Sequence, residues 1–434
     1  MGKLLQRLNR SKIFRGLDEK EFSWVLYDVG NSAFTMLACS LIPIWFHNLA
    51  DARVGEGVAT AYFSLATSII TIIVAIIGPI FGALSDRQDK KKLFFSTAVA
   101  LGVIGCVVSG FSASWLMFLV VYALARIFYS ASLTFYDSML GDVTTEERMD
   151  EVSSYGYAWG YIGSCIPFTL ALIAYVLGPD MLGVISGFLS QFIGCAITGA
   201  WWFVVSLPLI KGYKQKNYTA STTPSIGSVF KKIGSTLKRI ALEDRKVLFF
   251  LIAFFLYIDG VGTIIDNCIN IGKPLGLDTI GMVVFLLATQ VVAWIFSLIF
   301  AKLSKRYDTV KLLLVCITGY FFVCLYALTL HTLLDFAILA FGVGCFQGSI
   351  QSLSRSYFSK IIPPENSGEY FGIYDIFAKG ASFLGSAVIA GVIFLLGGND
   401  QAGTAIRIAV ASLAVFFLLG FVFLKLADKQ PSKR

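Results

Sequence analysis

Charge is the first thing this 434-residue chain lacks: Asp, Glu, Lys and Arg together make up 14% of it, against about 25% in a water-soluble domain. Apolar residues make up 56% and the mean hydropathy is +0.76, so a water-soluble fold could not hide them. Histidine occurs only as His47 and His331. With no H-E-x-x-H motif and no G-x-x-x-x-G-K-[ST] phosphate loop, an enzyme and an ATP-driven pump are both disfavoured, and no cofactor or metal is expected. The eight cysteines form no C-x-x-C pair and all sit in apolar stretches, which argues against a disulfide or zinc framework. Ala50-Asp51-Ala52 has the form of a signal-peptidase site, but the stretch before it is too long and carries Asp28, so it reads as a retained span. Gln6 stands where N-myristoylation needs Ser or Thr.

What is present is a succession of apolar stretches, each long enough to cross the ~30 Å hydrocarbon layer as a helix. Twelve are expected: Phe22 to His47, Val58 to Leu84, Leu93 to Ser112, Trp115 to Leu140, Val152 to Leu177, Met181 to Leu209, Val247 to Ile271, Thr279 to Leu303, Val310 to Leu330, Leu333 to Phe358, Tyr370 to Leu396 and Ala405 to Leu426. The fold class is an all-α membrane protein of two six-helix bundles. The organisation is an N-tail (1–21), a bundle (22–209), a basic linker (210–246), a second bundle (247–427) and a tail (428–434). The linker begins as flexible chain rich in Lys, Ser and Thr, and Val229 to Leu242 can form an amphipathic helix on the inner leaflet.

The net charge of +8 is explained by topology. With the N-terminus inside, only Arg53, Lys273 and Arg407 fall on the outer side, and only Arg126 and Lys379 lie deep within spans. This asymmetry follows the positive-inside rule and places both termini in the cytoplasm. The basic residues report orientation and contact with anionic lipid, not nucleic acid. Expected partners are therefore membrane lipids and a small-molecule substrate, with the chain a monomer in a bacterial cell membrane.

A repeat relates the two halves. Gly82-Ala83-Leu84-Ser85-Asp86-Arg87-Gln88-Asp89-Lys90-Lys91-Lys92-Leu93 aligns with Ala301 to Leu312 at an offset of 219, with Leu, Ser, Arg, Asp, Lys and Leu shared. The first of these loops resembles the major facilitator signature G-x-L-x-D-R-x-G-R-K, with Asp89 and Lys90 in place of Gly-Arg. Trp24-Val25-Leu26-Tyr27-Asp28-Val29-Gly30-Asn31-Ser32-Ala33-Phe34 is similar to the W-x-L-Y-D-x-x-N-S-A-[FY] opening of the vacuole-effluxer branch. Phe255 to Val261, Gln351 to Ser356 and Phe371 to Lys379 resemble that branch too. The resemblance implies a major facilitator fold in which spans 1, 4, 7 and 10 line a central cavity with a midplane site. It also implies amino-acid efflux as the first guess, and an inner gate in which Asp86 faces the start of span 11 while Arg87 faces Asp137 and Asp142.

Charged residues at a span centre cost roughly 2.5 to 3.5 kcal/mol and mark sites by default. Helical spacing groups Asp28, Asn31 and Thr35 on span 1, and Arg126, Ser130 and Asp137 on span 4, with Tyr129 beside them. Asp259, Thr263, Asp266 and Asn270 align on span 7, Gln347, Gln351 and Arg355 on span 10, and Asp375 and Lys379 on span 11. The substrate residues expected are Asn31, Arg126, Tyr129, Asp259, Asp266, Asn270, Gln347 and Gln351. Arg126 suits a carboxylate and the acids an ammonium group. Tyr157, Tyr161, Trp159 and Trp294 can add aromatic walls. Gating falls to Asp86, Arg87, Asp137, Asp142, Arg355 and the Asp375–Lys379 pair. Four deep acids face two deep bases, so Asp28 or Asp259 is expected to carry a proton, Asp259 first. An exporter of amphiphiles and a non-transporting receptor are the alternatives.

Overall fold

The computed structural model describes residues 16–220, 226–272, 275–380, 382–396 and 402–431. Among the described residues, twelve helical stretches long and apolar enough to cross a membrane run Glu19–Val54, Glu56–Ser85, Lys90–Gly110, Trp115–Ser138, Glu146–Val176, Gly187–Gly212, Arg245–Ile265, Val284–Leu303, Thr309–Thr329, Leu333–Ile361, Pro364–Leu396 and Gly403–Asp428. They are spans 1 to 12 in chain order. Large apolar side chains stand exposed along them, among them Ile72, Ile104, Val120, Phe322 and Phe341.

Local sequence explains where helices start and break. Asp18 caps span 1: its Oδ1 accepts from the N–H groups of Lys20 and Glu21 at 2.8 and 2.7 Å, and Glu21 Oε2 accepts from Asp18 N at 2.9 Å. This reciprocal arrangement satisfies donors that a helix start leaves open. Span 1 then breaks at Ser40 into helices Glu19–Cys39 and Leu41–Val54. Pro43 lacks the N–H that would reach the Cys39 carbonyl, and its ring crowds that carbonyl. Asp308 caps Thr309–Tyr326 and Thr332 caps Leu333–Ile361 by the same chemistry. The linker helix spans Ile226–Leu242.

The chain divides into two compact units. Unit 1 takes in residues up to Thr145, Trp159–Pro224 and the short segment Pro364–Gly372. Unit 2 takes in Glu146–Ala158, Ser225–Pro363 and the chain from Ile373 on. Each unit therefore includes the first turns of one span that otherwise continues in the other unit: the start of span 5 belongs to unit 2, and the start of span 11 to unit 1.

The core of unit 1 is aromatic. Trp24 stacks on Tyr136 with ring centroids 4.3 Å apart, and its Nε1 donates to the Tyr136 carbonyl at 3.0 Å. Phe34 and Tyr129 pack on Trp202 at 5.5 and 5.6 Å. Gly160 and Gly163 face Asp28, Val29 and Ser32 so closely that a Cβ there would collide, which brings spans 1 and 5 into backbone contact. Unit 2 repeats the pattern with Phe254 stacked on Tyr374 at 4.0 Å and Tyr320 on Phe417 at 5.2 Å.

A lock common to both units joins the first span of each bundle to its fourth. Tyr27 Oη lies 2.6 Å from Ser132 Oγ, and Tyr257 Oη lies 2.6 Å from Ser354 Oγ. Both serines also donate to a carbonyl of their own helix, Ser132 to Tyr129 at 2.6 Å and Ser354 to Ile350 at 2.5 Å. The tyrosines are therefore the donors across the helix pair.

Candidate functional site

In unit 1 the polar faces of spans 1 and 4 meet. Asn31 Nδ2 donates to the Tyr27 carbonyl at 3.1 Å and to Asp28 Oδ1 at 3.3 Å. Thr35 Oγ1 lies 2.5 Å from Tyr129 Oη. The Arg126 guanidinium stands 5.1 Å from the centroid of the Tyr129 ring, close enough for the cation to be attracted by the ring face. The structure thus gathers Asp28, Asn31, Thr35, Arg126 and Tyr129 into one cluster of opposed charges with an aromatic centre.

In unit 2, Asp259 is wholly buried at 0% exposure, and neither carboxylate oxygen has a hydrogen-bond partner among the described residues. The backbone of Gly385 in span 11 is near enough to influence it without meeting hydrogen-bond geometry. Gln347 is buried, and Gln351 Nε2 is turned back to the Gln347 carbonyl at 3.0 Å. Asp375 and Lys379 form the expected ion pair one turn apart. Asp266 and Asn270 lie on the helix Arg245–Gly272, but their side chains fall outside the described residues.

Arg355 of span 10 is buried against the start of span 5, within unit 2. Its Nε donates to Ser153 Oγ at 2.9 Å, its Nη2 to the Ser153 carbonyl at 3.1 Å, and its guanidinium lies 4.6 Å from the Tyr157 ring centroid. Next to it, Asp150 accepts from Lys360 Nζ at 2.7 Å, Thr309 Oγ1 at 2.6 Å and Ser356 Oγ at 2.5 Å. Sequence reasoning does not single out Asp150, Ser153, Thr309 or Lys360; they stand at span ends, where helical periodicity carries no signal.

The Asp86 loop is closely packed against the start of span 11. Asp86 accepts from Gly368 N at 2.7 Å and Glu369 N at 2.9 Å, at the N-terminus of the helix Ser367–Gly380. A carboxylate is favoured at such a terminus, where open N–H groups and the helix dipole add. Lys91 Nζ lies 3.4 Å from Asp86 Oδ1 and donates to Ser367 Oγ at 2.7 Å, and both charged side chains are fully buried. Sequence reasoning misses Lys91 as the partner of Asp86 although it occupies the last position of the loop signature. Gly82 and Gly368 meet so closely that a Cβ on either would strike the other's carbonyl oxygen.

Arg87 Nε donates to the Leu84 carbonyl at 3.3 Å, and Asp137 stands half-buried near the end of span 4. Asp142 is taken up by the start of the linker: Tyr213 Oη donates to one oxygen, and Lys216 N, Asn217 N and Asn217 Nδ2 reach the other at 3.2, 2.9 and 2.9 Å. Thr219 N donates to the Asp86 carbonyl at 2.8 Å, and Gln215 Oε1 accepts from Lys91 N at 3.2 Å. Residues 213–219 are therefore strapped to unit 1 instead of running as free chain. Burial, followed by the negative charge of Asp142, pushes the Tyr213 hydroxyl well above its ordinary pKa of 10.0.

The matching loop of unit 2 carries the opposite charge at the equivalent position. Lys305, aligned with Asp86 in the repeat, pairs with Glu151 at 2.8 Å at the start of span 5. Asp89 adopts the left-handed conformation at φ 57°, the one that the usual glycine supplies; a short polar side chain tolerates it better than a branched one.

Comparison with known proteins agrees with this architecture. A protein of Bacillus subtilis described as an uncharacterized MFS-type transporter, YxiO, is 39% identical over 418 residues, which are 95% of this chain and 96% of that one. Autophagy-related protein 22-1 of Penicillium rubens is 26% identical over 316 residues, 65% of this chain and 50% of its own, so this chain spans about half the length of that fungal relative. The solved structure of the MFS proton:xylose symporter XylE superposes with a TM-score of 0.69 at 13% identity, covering 98% of this chain and 97% of the other, which shows the fold. The family model for "Vacuole effluxer Atg22 like" proteins matches residues 54–434. By that match and by the relative in Bacillus subtilis, the chain belongs to the vacuole effluxer Atg22-like family of multi-pass membrane proteins with the major facilitator fold.

Proposed function

We propose that the chain is a secondary transporter that moves a small polar organic solute, amino acids first, by alternating access coupled to protons. The observation that carries this reading is Asp259, wholly buried with no hydrogen-bond partner among the described residues for either oxygen. A bare carboxylate in such a place is strongly disfavoured unless it binds a proton or a cationic group during the cycle. The cluster in unit 1 supports a zwitterionic solute. Arg126 offers forked donors to a carboxylate, Tyr129 an aromatic wall with a polar tip, and Asn31 an amide. Asp259 and Asp266 are the acids for an ammonium group, with Asn270, Gln347 and Gln351 as further polar contacts and Asp28 as the second proton carrier.

The buried Asp86–Lys91 pair and the Arg355–Ser153 bonds serve as gate elements that close one access state. Arg87, Asp137, Asp142 and the Asp375–Lys379 pair support them from adjoining turns. The chain works as a monomer in a bacterial cell membrane with both termini in the cytoplasm, in contact with anionic lipid. The "effluxer" in the family description favours export.

The test is flux in proteoliposomes with an imposed pH gradient and a panel of labelled amino acids. Wild-type flux responds to the gradient, and Asp259→Asn transports without that response. Equal pH sensitivity in both proteins removes Asp259 from the coupling role. A second reading, export of amphiphiles, is favoured by an apolar groove of about 300 Å³ in unit 1 lined by Ile77, Phe81, Phe94, Phe128 and Phe135. Competition by hydrophobic cations but not by amino acids selects it.

A further inference from the structure

At the end of unit 1 opposite the Asp86 loop, the ends of spans 1, 3, 5 and 6 line an open-mouthed cavity of about 420 Å³, within the range of ligand sites. Two buried polar side chains line it without a partner among the described residues: the Trp45 indole N–H at 3% exposure and the Ser190 hydroxyl at 1%. A buried donor left open costs about 1 to 3 kcal/mol, so two on one wall mark a place where a ligand oxygen completes the structure. The wall beside them is closely packed and hydrogen-bonded. Gln191 Nε2 donates to the carbonyls of Ser109 and Ser112 at 2.9 and 3.1 Å, and Gly194 leaves just enough room for the Trp45 ring.

The chemistry of the lining selects the ligand. Asp180 is the one charged residue in it and already accepts from Asn48 Nδ2 at 2.6 Å. With no base among the lining residues, a carboxylate or phosphate would only accept and would face Asp180 unbalanced. An ammonium group only donates and would leave the Trp45 N–H open. Hydroxyl groups do both, and the faces of Tyr175 and Phe188 offer apolar, electron-rich surfaces to the C–H groups of a saturated ring. We infer that this cavity is a second small-molecule site, separate from the transport residues, that takes a neutral hexose ring.

The ring can come as free sugar or as the headgroup of a glycolipid, and the experiment separates the two. The full chain is purified in a detergent without a sugar headgroup, since a maltoside would fill the site, and is placed in nanodiscs. Methyl β-D-glucopyranoside is titrated into plain nanodiscs by calorimetry and tryptophan fluorescence. In the second arm, nanodiscs containing monoglucosyl diacylglycerol are compared with lipid-matched discs lacking it, by thermal stability. Saturable binding in the first arm assigns the free sugar, and stabilisation in the second alone assigns the headgroup.

Trp45→Phe keeps a smaller aromatic ring and removes the donor, and Ser190→Ala removes the hydroxyl. Each is expected to weaken binding about 2- to 12-fold, the equivalent of one hydrogen bond; without ligand Ser190→Ala melts no lower than wild type, whereas Trp45→Phe, which shrinks a buried side chain, melts lower. No saturable binding in either arm, binding of ethylammonium in place of the glucoside, or unchanged affinity in both variants overturns the assignment. None of these outcomes bears on proton-coupled transport, which is read from flux.

Discussion

Asp86 accepts two backbone hydrogen bonds from Gly368 and Glu369, at 2.7 and 2.9 Å, while the ammonium of Lys91 lies 3.4 Å from the same carboxylate. Removing one charge of a fully buried pair strands the other, at about 3 to 5 kcal/mol. Asp86→Asn is expected to destabilise the protein by that order in chemical denaturation. Adding Lys91→Met to it should recover part of the loss, because the stranded cation is gone. A double variant no better than the single one would mean that the two charges act independently.

Tyr213 supplies a pH-dependent element outside the membrane. Its hydroxyl donates to Asp142, and burial together with that negative charge raises its pKa above 10.0. The sign follows directly: the bond stabilises fully below the unfolded value near 10.0 and is lost as pH rises through the higher folded value. Tyr213→Phe is expected to be less stable than wild type at neutral pH by about 1.5 to 3 kcal/mol, the worth of a hydrogen bond to a charged group. The gap between the two proteins should close above pH 10, as read by melting curves from pH 7 to 11.

The paired locks Tyr27–Ser132 and Tyr257–Ser354 differ from a simple buried hydrogen bond in what remains after mutation. Each serine keeps its bond to its own helix, so Tyr27→Phe and Tyr257→Phe leave no donor open. Each is expected to cost about 0.5 to 1.5 kcal/mol. A loss above about 3 kcal/mol in denaturation would show that the tyrosine hydroxyl satisfies more than its serine.

Asp89 sits at φ 57°, where a branched side chain is strained. Asp89→Gly is expected to retain stability and Asp89→Val to lose about 1 to 2 kcal/mol. Equal melting temperatures for the two would place the loop in another conformation in the membrane.

Much of the architecture was legible because lipid imposes a length on every crossing: runs of apolar residues must match the hydrocarbon thickness, and the twelve stretches followed from that alone. The Asp86 contact with the start of span 11 and the Asp375–Lys379 pair were legible too, one from the loop signature and the other from helical spacing. The break at Ser40 had a local signal in Pro43 that the apolar run masked. Arg87 Nε bonds within its own turn to the Leu84 carbonyl, while Asp142 is claimed by Tyr213 and Asn217. Nothing in the spacing of residues some seventy positions apart announces that claim.

Composition and periodicity by themselves determined the membrane class, the number of crossings and the polar faces of spans 1, 4, 7 and 10, because these depend on hydrophobic burial and on the pitch of one helix. Tertiary structure alone decided that residues 213–219 are strapped to the Asp86 loop. It also decided that Asp259 lies buried without a hydrogen-bond partner among the described residues, and that Trp45 and Ser190 share a cavity wall. Those facts depend on which groups from distant segments compete for the same donor or acceptor, and the outcome exists only once the helices have packed.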